Sequence, residues 1–250
     1  MNTLLKNLIP FGLVEKRREQ IAESRQTNLY RSIIEEGSLV FDVGANIGNR
    51  INALLNCRAR VIAIEPQPEC VMKLRAKYGE KITIVEAALG SEKAKLNLHV
   101  SAKCDTVATL SREFIASANE SKRFGDREWG NIIPVDVLTL DSIIEEWGTP
   151  SFMKIDVEGF ELEVLRGLSK SVRALSFEWT SNRPDASRKC IDYLCGIGMP
   201  YFQISFGESM SLGHRTSQGA DVIKNLLSLL GDEMTCFGDI YASMEPIKRR

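Results

Sequence analysis

Three stretches of this chain end apolar runs in side chains able to do chemistry: "FDVGANIG" (Phe41 to Gly48), "VIAIEP" (Val61 to Pro66) and "KIDVEGFE" (Lys154 to Glu161). In the first, Asp42 ends the run, and Gly44 and Gly48 follow it on either side of Asn46. Glycine takes backbone conformations closed to residues with a Cβ, and the second glycine lets the next helix approach strand and ligand closely. The turn is of a nucleotide-binding kind, but it lacks the GxGxxG spacing that seats a pyrophosphate on a helix N-terminus. An acid at the strand end suits a cationic ligand better. S-adenosylmethionine carries such charge on its ammonium and sulfonium groups, and Asp42 would attract that end. The structural alternative is that Asp42 caps the turn and the glycines serve packing.

Glu65 ends the second run, where two carboxylate oxygens can accept the hydroxyls of a ribose. NAD enzymes use the same device, so the Asp42 and Glu65 pair specifies an adenosine-type ligand more firmly than which one; a helix cap at Glu65 is the bland reading. The third stretch supplies Lys154, Asp156, Glu158 and Glu161 across a strand-to-helix turn, with Lys154 and Asp156 on one side by strand alternation. Methyl transfer to a hydroxyl needs in-line positioning and removal of a proton, and Asp156 or Glu158 could orient or deprotonate the acceptor. One of the two is equally suited to cap the following helix. The same pair could bind a divalent cation that lowers the acceptor's pKa, but without a third ligand that reading ranks second, and no metal is expected. Glu178 ends a further strand and faces either acceptor or solvent. His214 is a candidate general base because imidazole titrates near neutrality. Trp129, Trp147 and Trp179 read as packing residues.

These side chains need a scaffold. Apolar strands "SLVFDVG", "RVIAIEP" and "KITIVEAALG" alternate with helical segments Asn49 to Asn56 and "PECVMKLRAKYG", the pattern of right-handed crossovers in a doubly wound, mostly parallel α/β sheet. A charged helix from Glu15 to Glu36 precedes them, with Gly37 as its stop. Two more strand-like runs, "AKLNLHV" and "NIIPVDVLTL", flank a polar stretch from Ser101 to Gly130, read as a substrate lid or as surface elaboration. Ser142 and Glu145 fit a capping box for "SIIEEWG", and strands "SFMKIDVEG", "RALSFEWT", "YFQISFG" and "FGDIYASM" complete the chain with helices between them. The expected organisation is a helical segment at 1–37 on a single domain at 38–250, with the insertion at 101–130.

The 250 residues, 44% hydrophobic and 26% charged, suit one globular domain. With 32 basic against 33 acidic residues there is no electrostatic case for a nucleic-acid surface. Six cysteines without a CxxC pair read as reduced thiols, and with only His99 and His214 as histidines a zinc centre would need thiolate spacing that the sequence does not show. Lys6 and Pro10 interrupt the apolar residues at the start, so neither a secretory signal nor a membrane span is expected, and the location is expected to be cytoplasmic. The first helix is expected to pack on its own domain, with cover for a ligand or peripheral contact with a membrane surface as alternatives.

Taken in order, "VFDVGANIGN", "VIAIEPQPE", "EAALGSE", "LTLDSIIEEWG" and "FMKIDVEGFELEVLRG" resemble the FkbM family of S-adenosylmethionine-dependent methyltransferases, from about Leu39 to Glu178. The resemblance implies a class I methyltransferase (Rossmann-like) fold, a seven-stranded sheet whose last strand is antiparallel, and O-methylation of a sugar, polyketide-like or other small-molecule hydroxyl. It also implies that Asp42, Gly44, Ala45, Asn46, Gly48, Glu65 and Pro66 hold S-adenosyl-L-methionine, that Glu86, Ala87 and Ala88 flank adenine, and that Asp156 and Glu158 border the transferred methyl. The competing classes are an NAD(P)-dependent oxidoreductase, disfavoured by the missing GxGxxG, and a noncatalytic nucleotide-binding module.

Overall fold

The computed structural model describes residues 11–101, 108–121, 129–230 and 236–248. After helix α1 (Phe11–Tyr30), strands β1 (Leu39–Val43), β2 (Arg60–Ile64) and β3 (Thr83–Val85) alternate with helices α2 (Ile51–Asn56) and α3 (Pro68–Tyr78). Then come β4 (Ala88–Leu89), β5 (Ala94–Val100), β6 (Ala108–Thr109), α4 (Arg112–Ser121) and β7 (Asn131–Leu138). The chain continues as α5 (Leu140–Trp147), β8 (Phe152–Ile155), α6 (Glu161–Arg166), β9 (Ala174–Thr180), α7 (Pro184–Gly196), β10 (Tyr201–Ile204), α8 (Ala220–Leu230) and β11 (Phe237–Ser243).

Seven strands form the central sheet in the order β10-β11-β9-β8-β1-β2-β3. β1 pairs in parallel with both β2 and β8, whereas β11 runs antiparallel to β9 and β10. This is the class I methyltransferase architecture, an α/β Rossmann-like sheet with an antiparallel last strand. Every residue of β1 is buried, as a strand covered on both faces requires. Phe41, Val43, Ile62, Ile155 and Phe177 pack on the α5 to α8 side, while Val40, Val61, Ala63 and Phe152 pack towards Tyr30 of α1, Leu54 of α2 and Leu74 of α3. Register places Asp42 beside Lys154, Lys154 beside Ser176, and Ser176 beside Tyr241, a polar row crossing the sheet centre.

Three local readings need correction. "KITIVEAALG" is not one strand: β3 ends at Val85, and Ala88–Leu89 leaves the central sheet to pair in parallel with β7. A second sheet results, ordered β4-β7-β5-β6, with its own core of Ala88, Leu98, Val100, Val135 and Val137. The capping box of α5 lies one turn earlier than expected. Thr139 is its N-cap, accepting from Ser142 N at 3.1 Å, while Ser142 Oγ accepts from Thr139 N at 3.2 Å. Both hydroxyl residues can cap a helix, and the extended backbone at Thr139 decides between them. Helix α1 ends at Tyr30 rather than Glu36, with turns filling the interval.

The stretch at 101–130, read as a lid, lies in part (102–107 and 122–128) outside the described residues; within it stand β6 and α4. The membrane-contact reading falls largely on residues 1–10, also outside them. Among the described residues no helix is long and apolar enough to cross a membrane.

Candidate functional site

The loop after β1 is held from three sides. Gly44 has φ 76°, and a Cβ there would overlap the carbonyl oxygen of Asp156, so the first and third motifs touch at a point only glycine allows. Asn46 sits at φ 53°, a conformation Asn tolerates, with its own Oδ1 accepting from Ile47 N at 2.7 Å. Its backbone N–H donates to Glu65 Oε2 at 2.8 Å. Gly48, at φ 87°, leaves room for the Tyr78 ring, which a Cβ would approach to 2.5 Å, and Tyr78 Oη donates to the Gly48 carbonyl at 2.9 Å.

This loop forms one wall of a cavity of about 710 Å³, within the range of ~300–1,000 Å³ common for small-molecule sites. Ala45, Pro66, Ala87, Ala88 and Leu98 line it towards the second sheet; Glu23 and Gln26 of α1 line it from above. Helix α1 therefore both packs on the domain and walls the cavity. Glu23 ties it to α2, accepting from Asn52 Nδ2 at 3.2 Å and Asn56 Nδ2 at 2.8 Å.

Two buried acids occupy the cavity in different states. Glu65 accepts from both Asn46 N and Gln67 N, the latter at 2.9 Å, leaving lone pairs on each oxygen for further donors. Burial pushes its pKa to about 7 against the pull of those two N–H groups. Asp42 is 1% exposed, and neither carboxylate oxygen has a hydrogen-bond partner among the described residues. Burial raises its pKa to about 6, with Lys154 and Arg50 opposing the rise. A carboxylate so desolvated and unpartnered has the chemistry to accept a cationic donor.

Lys154, also buried, bonds Asp156 Oδ2 at 2.5 Å; burial works against its charge, and Asp156 and Asp239 more than restore it. Val157 to Gly159 form a tight turn beyond β8. Glu158 lines the cavity at φ 51°, uncommon for a residue with a side chain, and its carbonyl accepts from Thr109 Oγ1 at 2.7 Å. Glu161, not Asp156 or Glu158, secures the turn, accepting from Gly159 N at 3.0 Å and Val157 N at 3.3 Å. A second cavity of about 630 Å³ adjoins the first at Leu110 and Phe160, with Phe114, Gly159, Glu178, Thr180 and Arg183 on its walls.

The structure thus brings Asp42, Gly44, Ala45, Asn46, Gly48, Glu65, Pro66, Ala87, Ala88, Asp156 and Glu158 to one cavity. Two expected residues are elsewhere. Glu86 turns outward to an ion pair with Arg75. His214 lines neither cavity; its backbone is tied to the side chain of Gln203 on β10, so a role as general base has no geometric support. Sequence reading missed Arg50, Leu98, Thr109 and Glu208, all on the cavity wall. Only Arg50 left a signal: a cation at the start of a helix, where anions are favoured. Among the described residues, no group of three His, Cys, Asp or Glu side chains could hold a metal ion.

The family model for the methyltransferase FkbM domain matches residues 42–210, more than half of the chain. The chain belongs to that family. The matched stretch is a methyltransferase domain, which agrees with the class I sheet order and disfavours the oxidoreductase alternative. A curated relative, the hexuronic acid methyltransferase AglP of Haloferax volcanii, is 24% identical over 146 residues, spanning 57% of this chain and 55% of the relative's length. Among solved structures, precorrin-6y C5,15-methyltransferase from Geobacter metallireducens covers 88% of this FkbM chain and 86% of its own at 13% identity, with a TM-score of 0.47. Fibrillarin from Aeropyrum pernix, in complex with natively bound S-adenosyl-L-methionine, covers 84% and 68% at 12% identity, with a TM-score of 0.41.

Proposed function

We propose that the chain methylates a hydroxyl of a sugar acceptor, using S-adenosylmethionine held in the larger cavity. The observation that carries this reading is Asp42, a fully buried carboxylate with both oxygens unpartnered in a cavity of cofactor size. Asp42 receives the ligand's ammonium, Glu65 accepts the ribose hydroxyls, and the apolar wall of Ala87, Ala88 and Leu98 takes the adenine. The bound cofactor supplies an electrophilic methyl on a sulfonium sulfur.

The acceptor sits in the smaller cavity, with its hydroxyl oxygen directed past the 156–159 turn. Asp156 is neutralised by Lys154 at 2.5 Å and so orients rather than deprotonates. Glu158, fixed by its strained backbone and Thr109, receives the hydroxyl proton as the new carbon–oxygen bond forms and the methyl–sulfur bond breaks, its electron pair staying on sulfur. The hexuronic acid named as the substrate of the AglP relative supports a sugar acceptor, and the adjoining cavity supports one beside the methyl.

The experiment is incubation with methyl-labelled S-adenosylmethionine and a panel of hexose and hexuronic acid glycosides. Alkali-stable label on the sugar is the expected product, an ether. Alkali-labile label would indicate a carboxyl ester and overturn the hydroxyl assignment. Glu158→Gln is expected to lower turnover by about 100-fold or more with cofactor affinity within a few-fold. Unchanged turnover would remove Glu158 from the chemistry.

A further inference from the structure

Arg50 and Glu208 meet at the Asp42 end of the cavity, and neither belongs to the motifs that carry the reading above. The Arg50 side chain is 12% exposed, and a buried guanidinium demands a partner. Its ion pair is Glu208 Oε2 at 2.8 Å, on a side chain 64% exposed in the loop after β10. Tyr30 and Asp239 also act on Arg50 electrostatically, without a direct ion pair. In the amide orientation that satisfies both of its atoms, Gln26 steadies the guanidinium from α1, its oxygen 2.5 Å from Arg50 Nη1. A mostly solvated glutamate is a weak permanent partner, because its release to water costs little.

One pocket therefore holds a buried acid with no donor, Asp42, and a buried cation paired to a replaceable surface acid. An α-amino acid zwitterion answers both. We propose that Arg50 is the receptor for the α-carboxylate of the cofactor's amino-acid end, and that Glu208 is its stand-in until that carboxylate arrives. The inference rests on the cofactor reading above and deepens it. Binding exchanges one carboxylate for another on Arg50, so the buried charge stays balanced while Glu208 returns to water. Arginine suits the task because its planar fork matches a carboxylate bidentately.

The test compares S-adenosylhomocysteine with its decarboxylated analogue, which keeps the ammonium and lacks the carboxylate, by calorimetry on the full chain. The unaltered protein is expected to prefer the former by about 10–100-fold, as a charge-assisted bidentate pair is worth. Arg50→Gln collapses that preference to within about threefold while still binding the analogue, and Glu208→Gln strengthens S-adenosylhomocysteine binding by about 3–10-fold with no gain for the analogue. A preference surviving in Arg50→Gln overturns the proposal. If Arg50→Gln does not fold, Glu208→Gln decides, since its side chain is largely solvated: unchanged or weakened S-adenosylhomocysteine binding refutes the stand-in. If the unaltered protein binds neither ligand, the cofactor reading itself fails, a different outcome from equal affinity for both.

Discussion

Glu65 and Asp42 stand at the ends of neighbouring parallel strands, both buried, yet the protein treats them oppositely. Glu65 is met by two backbone N–H groups, so its geometry is complete before any ligand arrives. Asp42 is met by none. At one end of the cavity the backbone completes the acid's contacts, whereas at the other a buried acid keeps both oxygens open, with Lys154 and Arg50 acting on it without a hydrogen bond. The first arrangement favours stability and shape; the second sacrifices stability for affinity.

The largest expected effect breaks the Asp42 side. Asp42→Asn should weaken S-adenosylhomocysteine binding by about 100-fold, the worth of a desolvated charge-assisted contact. The same change should stabilise the ligand-free protein. Raising a carboxyl from 3.8 to about 6 marks about 3 kcal/mol of buried-charge cost at neutral pH, of which the neutral but unpaired amide recovers about 1–2 kcal/mol. Thermal unfolding would show a rise of a few degrees; a fall would mean that Asp42 has a structural partner.

Acid should separate binding from stability. Asp42 must be ionised to hold an ammonium, so moving from pH 7.5 to 5 should weaken S-adenosylhomocysteine binding by about tenfold through this group, with a pKa of about 6. Folding runs the other way. Both carboxyls bind protons more tightly folded than unfolded, so what they contribute to ligand-free stability is present at low pH. It is lost as pH rises through about 6 for Asp42 and about 7 for Glu65. In Asp42→Asn the acid-linked loss of affinity should shrink, and titrations at several pH values would detect its persistence.

Glu65→Gln should gain less stability than Asp42→Asn, because relief of the buried charge is offset by an amide NH₂ that faces one of the two backbone N–H donors, a cost of about 1–3 kcal/mol, and affinity should fall about tenfold. A gain in unfolding experiments as large as that of Asp42→Asn would mean that the two bonds are not the organising contacts. The smallest change is Tyr78→Phe, which removes the bond to the Gly48 carbonyl and keeps the ring. About 0.5–1.5 kcal/mol of stability and a few-fold of affinity should go.

The sequence made both acid-bearing strand ends of the site legible, since strand-end acids and glycine spacing are local signals. Asp42, Gly44 and Glu65 fall at breaks in apolar runs, and the central sheet follows from their alternation with helices. The second sheet was not legible because Ala88–Leu89 sits inside a run that reads as one strand, and only pairing with β7 splits it. Glu86 stands beside a motif and His214 was chosen for its imidazole alone, and their placement depends on Arg75 and on Gln203, contacts that no local pattern encodes. Arg50 needs Glu208, far along the chain, before its position has a meaning.

On the proposed reading, Asp42 waits for a cationic adenosine ligand. Calorimetric titration with S-adenosylhomocysteine, beside NAD and with Asp42→Asn in parallel, tests it most directly. Saturable binding of S-adenosylhomocysteine alone, lost or weakened by about 100-fold in the variant, is the predicted result. Binding of neither ligand, or undiminished affinity in Asp42→Asn, would contradict it.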